Sequence, residues 1–104
     1  MSEAQTQAAI LLTFGTGYPL RLWRQNTGAA RINGQLVRFG TPGQADLSGV
    51  LEGGRALFIE VKSATGRQSP QQKKFQVMVE SLGALYVLAR SVSDVHAALK
   101  KHPA

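Results

Sequence analysis

A mixed α/β fold, a sheet with helices packed on it, is what the sequence predicts. Two helix-start signals bracket the chain: Ser2-Glu3-Ala4-Gln5 and Ser69-Pro70-Gln71-Gln72 both match the capping-box pattern. Short apolar runs with strand-like alternation lie between and after them, separated by glycine-rich turns. The chain of 104 residues has room for a single domain, residues 1–104, with a modest core. It carries no internal repeat, low-complexity segment or interdomain linker.

In chain order, residues 3–14 read as a helix capped by Ser2, with a wide apolar arc of Ala4, Ala8, Ile10, Leu11, Leu12 and Phe14. Gly15-Thr16-Gly17 ends it, and Leu20 to Arg24 alternates as a strand. Asn26 to Gly34 is turn-rich, and Gln35 to Phe39 is expected to be the second strand. Leu47 to Leu51 and Ala56 to Lys62 form a hairpin around Glu52-Gly53-Gly54-Arg55. The clearest helix follows, with Ser69 as cap, Pro70 at its first position and an apolar stripe of Phe75, Met78, Val79 and Leu82 before Gly83. Leu85 to Ala89 reads as a buried strand, and Ser91 or Ser93 caps a last helix through Leu99.

A hydrophobic fraction of 43% with scattered charge argues for a folded globule. No run of eighteen apolar residues is present, so no membrane span is expected. The N-terminus has Glu3 and no basic region typical of a signal peptide, which points to a cytoplasmic protein. With no cysteine, disulfides, thiolate zinc sites and thiol nucleophiles are excluded. A formal charge of +6 and a pI near 10.4 favour a polyanionic partner, nucleic acid first, although a generally basic surface would give the same balance. The basic residues are spread along the chain, which suits a folded binding face better than a basic tail.

The chemistry concentrates in Asp46, after the loop Gly40-Thr41-Pro42-Gly43-Gln44-Ala45, and in Ile59-Glu60-Val61-Lys62. In a strand Glu60 and Lys62 point the same way, about 7 Å apart along one face. Asp46 and Glu60 are oxygen ligands of the kind Mg²⁺ takes, the carbonyl of Val61 lies within reach, and Lys62 would orient water or meet charge on a phosphate. The same pattern also fits an edge strand whose polar residues face water while Leu57, Ile59 and Val61 are buried. A two-residue Gly53-Gly54 turn would set Asp46 opposite Val61 and aim it away from Glu60. A shared site therefore requires an odd-length loop or a bulge, with Asp46 near Lys62 and Ser48 near Glu60.

Glu3 lies in helical register with Gln7, Ile10 and Phe14, so it either completes a metal site or complements the helix dipole. Gln72 shares a face with Phe75 and Val79, and two roles compete for it: reaching the site, or capping Ser69. Arg67, Lys73 and Lys74 are phosphate contacts or ordinary solvated charges. His96 and His102 are expected at the surface, and Trp23 in the core rather than as a base-stacking platform. No Ser/His/Asp set, phosphate-cradling glycine loop or zinc spacing appears, and no organic cofactor is implied.

Asp46, Ile59-Glu60-Val61-Lys62, Gly66-Arg67-Gln68-Ser69-Pro70-Gln71-Gln72 and Gly83-Ala84-Leu85-Tyr86-Val87 together resemble the stand-alone VRR-NUC domain of the PD-(D/E)xK nuclease superfamily. The resemblance runs from Ser2 to Ser91 and implies a restriction-endonuclease-like αβββαβ core, here with a C-terminal helix. It further implies Mg²⁺ or Mn²⁺ dependence and structure-selective cleavage of DNA in replication and repair. By position, Asp46 and Glu60 would be metal ligands, Lys62 the catalytic lysine, Glu3 the acidic residue of the first helix and Gln72 the glutamine after the lysine strand. Arg24-Gln25-Asn26-Thr27-Gly28 is similar to the family's arginine-asparagine-glycine segment, which implies a DNA role for Arg24 and Asn26. Pro42 departs from the motif because it is not adjacent to Asp46.

Small members, from phages and bacteria, resemble Holliday-junction resolvases in being homodimers, which suits paired cuts in a two-fold symmetric junction. The related domain of the Fanconi-associated nuclease is instead part of a larger flap-cutting enzyme. The expectation is thus a dimeric, metal-dependent endonuclease acting on branched DNA in the cytoplasm of a bacterium or a phage-infected host. A non-cleaving basic DNA-binding module and a nuclease preferring flap or duplex DNA are the alternatives.

Overall fold

Serine caps open the helices of the computed structural model, which describes residues 1–16, 19–25 and 28–102. Ser2 caps α1 (Glu3–Phe14) and Ser69 caps α2 (Pro70–Ser81), each in a complete capping box, and Ser91 rather than Ser93 caps α3 (Val92–Lys101). The strands are β1 (Leu20–Arg24), β2 (Gly28–Ile32), β3 (Gln35–Phe39), β4 (Leu47–Leu51), β5 (Ala56–Val61) and β6 (Leu85–Ala89). Strands β1, β4, β5 and β6 form a sheet in that spatial order, antiparallel except for the parallel β5–β6 pair, across which α2 connects. With β2 and β3 set aside, the order is helix, three strands, helix, strand, helix, as expected.

The sheet carries a core on each face. Leu22, Leu47, Leu57, Ile59, Val61, Val87 and Val95 are buried on the face covered by α1 and α3. Ala45, Phe75, Val79, Ala84 and Tyr86 cluster on the other face, under α2. Because Leu57, Ile59 and Val61 are all fully buried on the first face, strand alternation places Glu60 on the second. Slipping β5 by one residue would take Leu57, Ile59 and Val61 out of the larger core and turn Glu60 into it, an unpaired charge among apolar side chains, so the placement of Glu60 is strongly held.

Several expectations need correction. Gly28 to Ile32, read as turn, is a strand that pairs with β3 in a separate two-stranded sheet. Asn33 and Gly34, at φ 52° and 78°, make the two-residue turn that joins them. Strand β5 lies inside the sheet rather than at an edge, and it ends at Val61, although the Lys62 N–H still bonds the Ala89 carbonyl. Leu12, Met78 and Leu82 are exposed, while Thr6 is buried on α1; the helices contact the sheet along narrower stripes than their apolar residues mark out. Trp23 is 47% exposed and is not part of the core. His96 and His102 are exposed, as expected. No helix among the described residues is long and apolar enough to cross a membrane.

The loop before β4 is fixed by close packing. Gly43 has φ 76°, and a Cβ there would lie 2.3 Å from the Gln71 carbonyl oxygen in the first turn of α2. The contact presses the Asp46 loop onto the helix that carries Gln72. Gly43→Ala is expected to cost about 2 kcal/mol or more, from both the backbone conformation and the clash, and thermal melting would show it.

Candidate catalytic site

The hairpin register brings the two carboxylates together. Leu47 pairs with Ile59, so one step further Asp46 faces Glu60, and Ser48 faces Phe58. The odd parity required for a shared face is present, but the partners differ by two residues from those expected. The loop explains the difference: Leu51 still bonds Arg55 across the three residues Glu52, Gly53 and Gly54. Asp46 is held in place by the Val61 N–H, which donates to its Oδ2 at 2.8 Å. Val61 thus enters the site through its amide.

Glu60 is 2% exposed. Its Oε2 accepts from Gln72 Nε2 at 2.9 Å and lies 3.4 Å from Lys62 Nζ. Its Oε1 is buried without a hydrogen-bond partner. Burial, then the charge of Asp46, pushes the Glu60 carboxyl up to about 7, against the opposing pull of Lys62. Gln72 settles the competition expected for it, because an amide has two ends. Its Oε1 accepts from the Ser69 N–H at 2.8 Å while its Nε2 holds Glu60. The capping box therefore orients the glutamine toward the carboxylate.

Other expected residues lie around this group. Glu3 directs its carboxylate to the Ser63 N–H at 3.4 Å, next to Lys62, and also stands in the first turn of α1. Among the described residues, no group of three or more His, Cys, Asp or Glu forms a metal-ligand cluster. Arg67, Lys73 and Lys74 are exposed, on the loop after Lys62 and on the first turn of α2. Arg24 is exposed at the end of β1, opposite Leu47, and so alternates to the face away from Glu60. Asn26 lies outside the described residues.

Two neighbours of the group, Arg90 and Gln25, were given no such role by sequence reasoning, and Ser48, expected near Glu60, lies one row away. Arg90 donates from one guanidinium nitrogen to the carbonyls of Ser63 and, at 2.8 Å, of Gly66, clamping the loop that follows Lys62. Gln25 donates its N–H to the Asp46 carbonyl at 2.9 Å, extending the β1–β4 ladder to the row that holds the two carboxylates. Ser48, the next residue along that face from Asp46, has a buried hydroxyl without a partner. Only Gln25 and Ser48 carried a usable signal, their alternation with Trp23 and Asp46; nothing local marks Arg90. Arg90→Ala should lower the melting temperature by several degrees and loosen the loop, seen as faster amide exchange at 63–66 than in α3.

The fit of a divalent cation can be judged from the donors. Two carboxylates face each other, one is desolvated, and its buried Oε1 lacks any donor, a costly arrangement that a cation relieves. One or two carboxylates, completed by water and phosphate oxygens, is how proteins bind Mg²⁺. The residues present fit such an ion. Comparison with protein-family models, with curated proteins and with solved structures finds no match for this chain.

Proposed function

We propose that the protein is a metal-dependent endonuclease that hydrolyses phosphodiester bonds in branched DNA, acting as a homodimer, in line with the VRR-NUC resemblance of its sequence. The observation that carries this reading is the convergence of Asp46, Glu60, Lys62 and Gln72 on one face of the sheet, with Glu60 Oε1 buried and unpartnered. A bound Mg²⁺ or Mn²⁺, held by Asp46 and Glu60, would supply positive charge against phosphate oxygens and lower the pKa of water.

The chain's own residues do the rest. The Val61 N–H fixes one oxygen of Asp46 and leaves the other for a ligand. Gln72 holds Glu60 by Oε2, so its Oε1 is presented in a set direction. Lys62 Nζ, beside Glu60, can donate to a phosphate oxygen or to the attacking water. Arg67, Lys73 and Lys74, exposed on neighbouring elements, would meet backbone phosphates, and the net charge of +6 would favour the encounter.

The test is cleavage of labelled four-way junction, flap and plain duplex DNA with Mg²⁺, Mn²⁺ or EDTA, with the molar mass measured by light scattering. Symmetric junction cuts that require metal, from a protein of twice the chain mass, are the expected result. Metal-dependent cutting confined to flaps or duplex would move the substrate. Tight binding without product under either metal would replace the nuclease with a DNA-binding module.

A further inference from the structure

Side chains on the α2 face of the sheet form rows across the strands. Gln25, Asp46, Glu60 and Leu88 make the catalytic row. The next row is Trp23, Ser48, Phe58 and Tyr86, and the one after it holds Arg21, Val50 and Ala56. Helix α2 covers only the β5 and β6 ends of these rows, where Phe75 packs edge-on against Phe58 with ring centroids 5.2 Å apart and also contacts Tyr86. Among the described residues, the β1 side chains and Val50 are the more exposed part of these rows. Trp23 is 47% exposed there, Val50 is 38% exposed, and Arg21 is exposed with no ion pair among the described residues. Beside Trp23, the Ser48 hydroxyl is buried, with the residue only 6% exposed, and has no partner.

We propose that Trp23 is a stacking platform for an unpaired nucleobase of the strand being cut, with Arg21 meeting the backbone beyond it. This rests on the nuclease reading and names the feature of the substrate that the site recognises. Three observations support it. A large aromatic side chain is left half in water on the same face as the catalytic carboxylates, where burial was available under α2 to its row-mates. The cation two residues before it on the same face, Arg21, is exposed and makes no ion pair among the described residues, which leaves it for a phosphate. Trp23 stands one row and one strand from Asp46 and a further strand from Glu60, roughly 8 and 12 Å between backbone positions, so the base on Trp23 lies about two to four stacked base steps from the scissile phosphate. A base inside a duplex has both faces covered by its neighbours. Only a base freed at a branch or a strand end can offer its face to the indole.

Trp23 is the single tryptophan, so its fluorescence reports this position alone. The experiment titrates the full chain, in EDTA, with a short single-stranded dT oligonucleotide and with an abasic deoxyribose-phosphate chain of equal length. Indole fluorescence and the anisotropy of an end-labelled copy are followed together. The expected result is quenching by dT in step with the anisotropy rise, and binding of the abasic chain without quenching. Trp23→Ala should weaken dT binding roughly 5- to 150-fold, with Trp23→Phe staying within a few fold of the parent. Binding by anisotropy with no quenching, or equal quenching by the abasic chain, overturns the stacking role and leaves the nuclease reading standing. No binding, together with no metal-dependent cleavage of any DNA, overturns both.

Discussion

Asp46→Asn and Lys62→Ala are each expected to slow single-turnover cleavage by on the order of 10³-fold or more at saturating metal, with DNA affinity within a few fold of the parent. Asparagine is the sharper substitution at position 46. Its amide oxygen can still accept from the Val61 N–H, which Asp46 bonds at 2.8 Å, so the backbone of β5 keeps its partner while the charge is lost. Alanine there would leave that N–H unpaired and add about 1–3 kcal/mol of instability to any catalytic defect. Lys62 lies 3.4 Å from Glu60 with only 14% of its side chain exposed, and its removal leaves a buried carboxylate without a counter-charge. A melting curve for each variant therefore belongs with the rate. Parent-like cleavage by folded Asp46→Asn would remove the two-carboxylate site from the mechanism.

The legibility of this site in the sequence divides along a physical line. Periods and caps are local, and they located the helices and every strand of the main sheet. The missed strand, β2, begins Gly28-Ala29-Ala30-Arg31, where small residues hide the alternation; the Asn33-Gly34 turn was its only strong mark. The parity of the β4–β5 register followed from requiring Asp46 and Glu60 to share a face. The pairing itself depended on how the glycine loop closes, which sets a three-residue connection between Leu51 and Arg55. Gln72 was seen as a residue with two competing roles because the capping box uses only one end of the amide. Trp23 was misplaced for a non-local reason. Strand alternation assigns it a face, but which half of that face a helix of 12 residues covers is decided by the β5–β6 crossover. The Arg90 clamp joins residues 24 and 27 positions apart, and no spacing rule reaches that far.

In EDTA, the stability of the parent is expected to fall as pH rises from about 4.5 to above 7, and Glu60→Gln should lose that part of the slope. The sign follows from linkage. The Glu60 carboxyl moves from an ordinary 4.5 to about 7 in the fold, chiefly through burial and then through Asp46. Between those values the folded chain keeps a proton that the unfolded chain has released, so raising the pH favours unfolding. The stabilisation is fully present below the unfolded pKa and is lost through the folded one. Its size is about 3 kcal/mol, on the order of 10 °C in melting temperature for a chain this small. The difference between parent and Glu60→Gln melting temperatures at pH 5 and pH 8 isolates this group from the rest of the protein. Glu60→Gln keeps an acceptor for Gln72 Nε2 and carries no charge, so at pH 8 it should be the more stable of the two without metal. Saturating Mn²⁺ is expected to reverse the order at pH 8, because a cation held by Asp46 and Glu60 would favour the ionised carboxylate that burial opposes. An equal parent-to-variant difference at both pH values would mean that Glu60 is solvated enough to ionise normally. In that case its unpartnered oxygen would no longer argue for a bound cation. On this reading, the instability expected without metal and the affinity proposed for it would share one origin, a carboxylate folded into a place where a proton or a cation satisfies it.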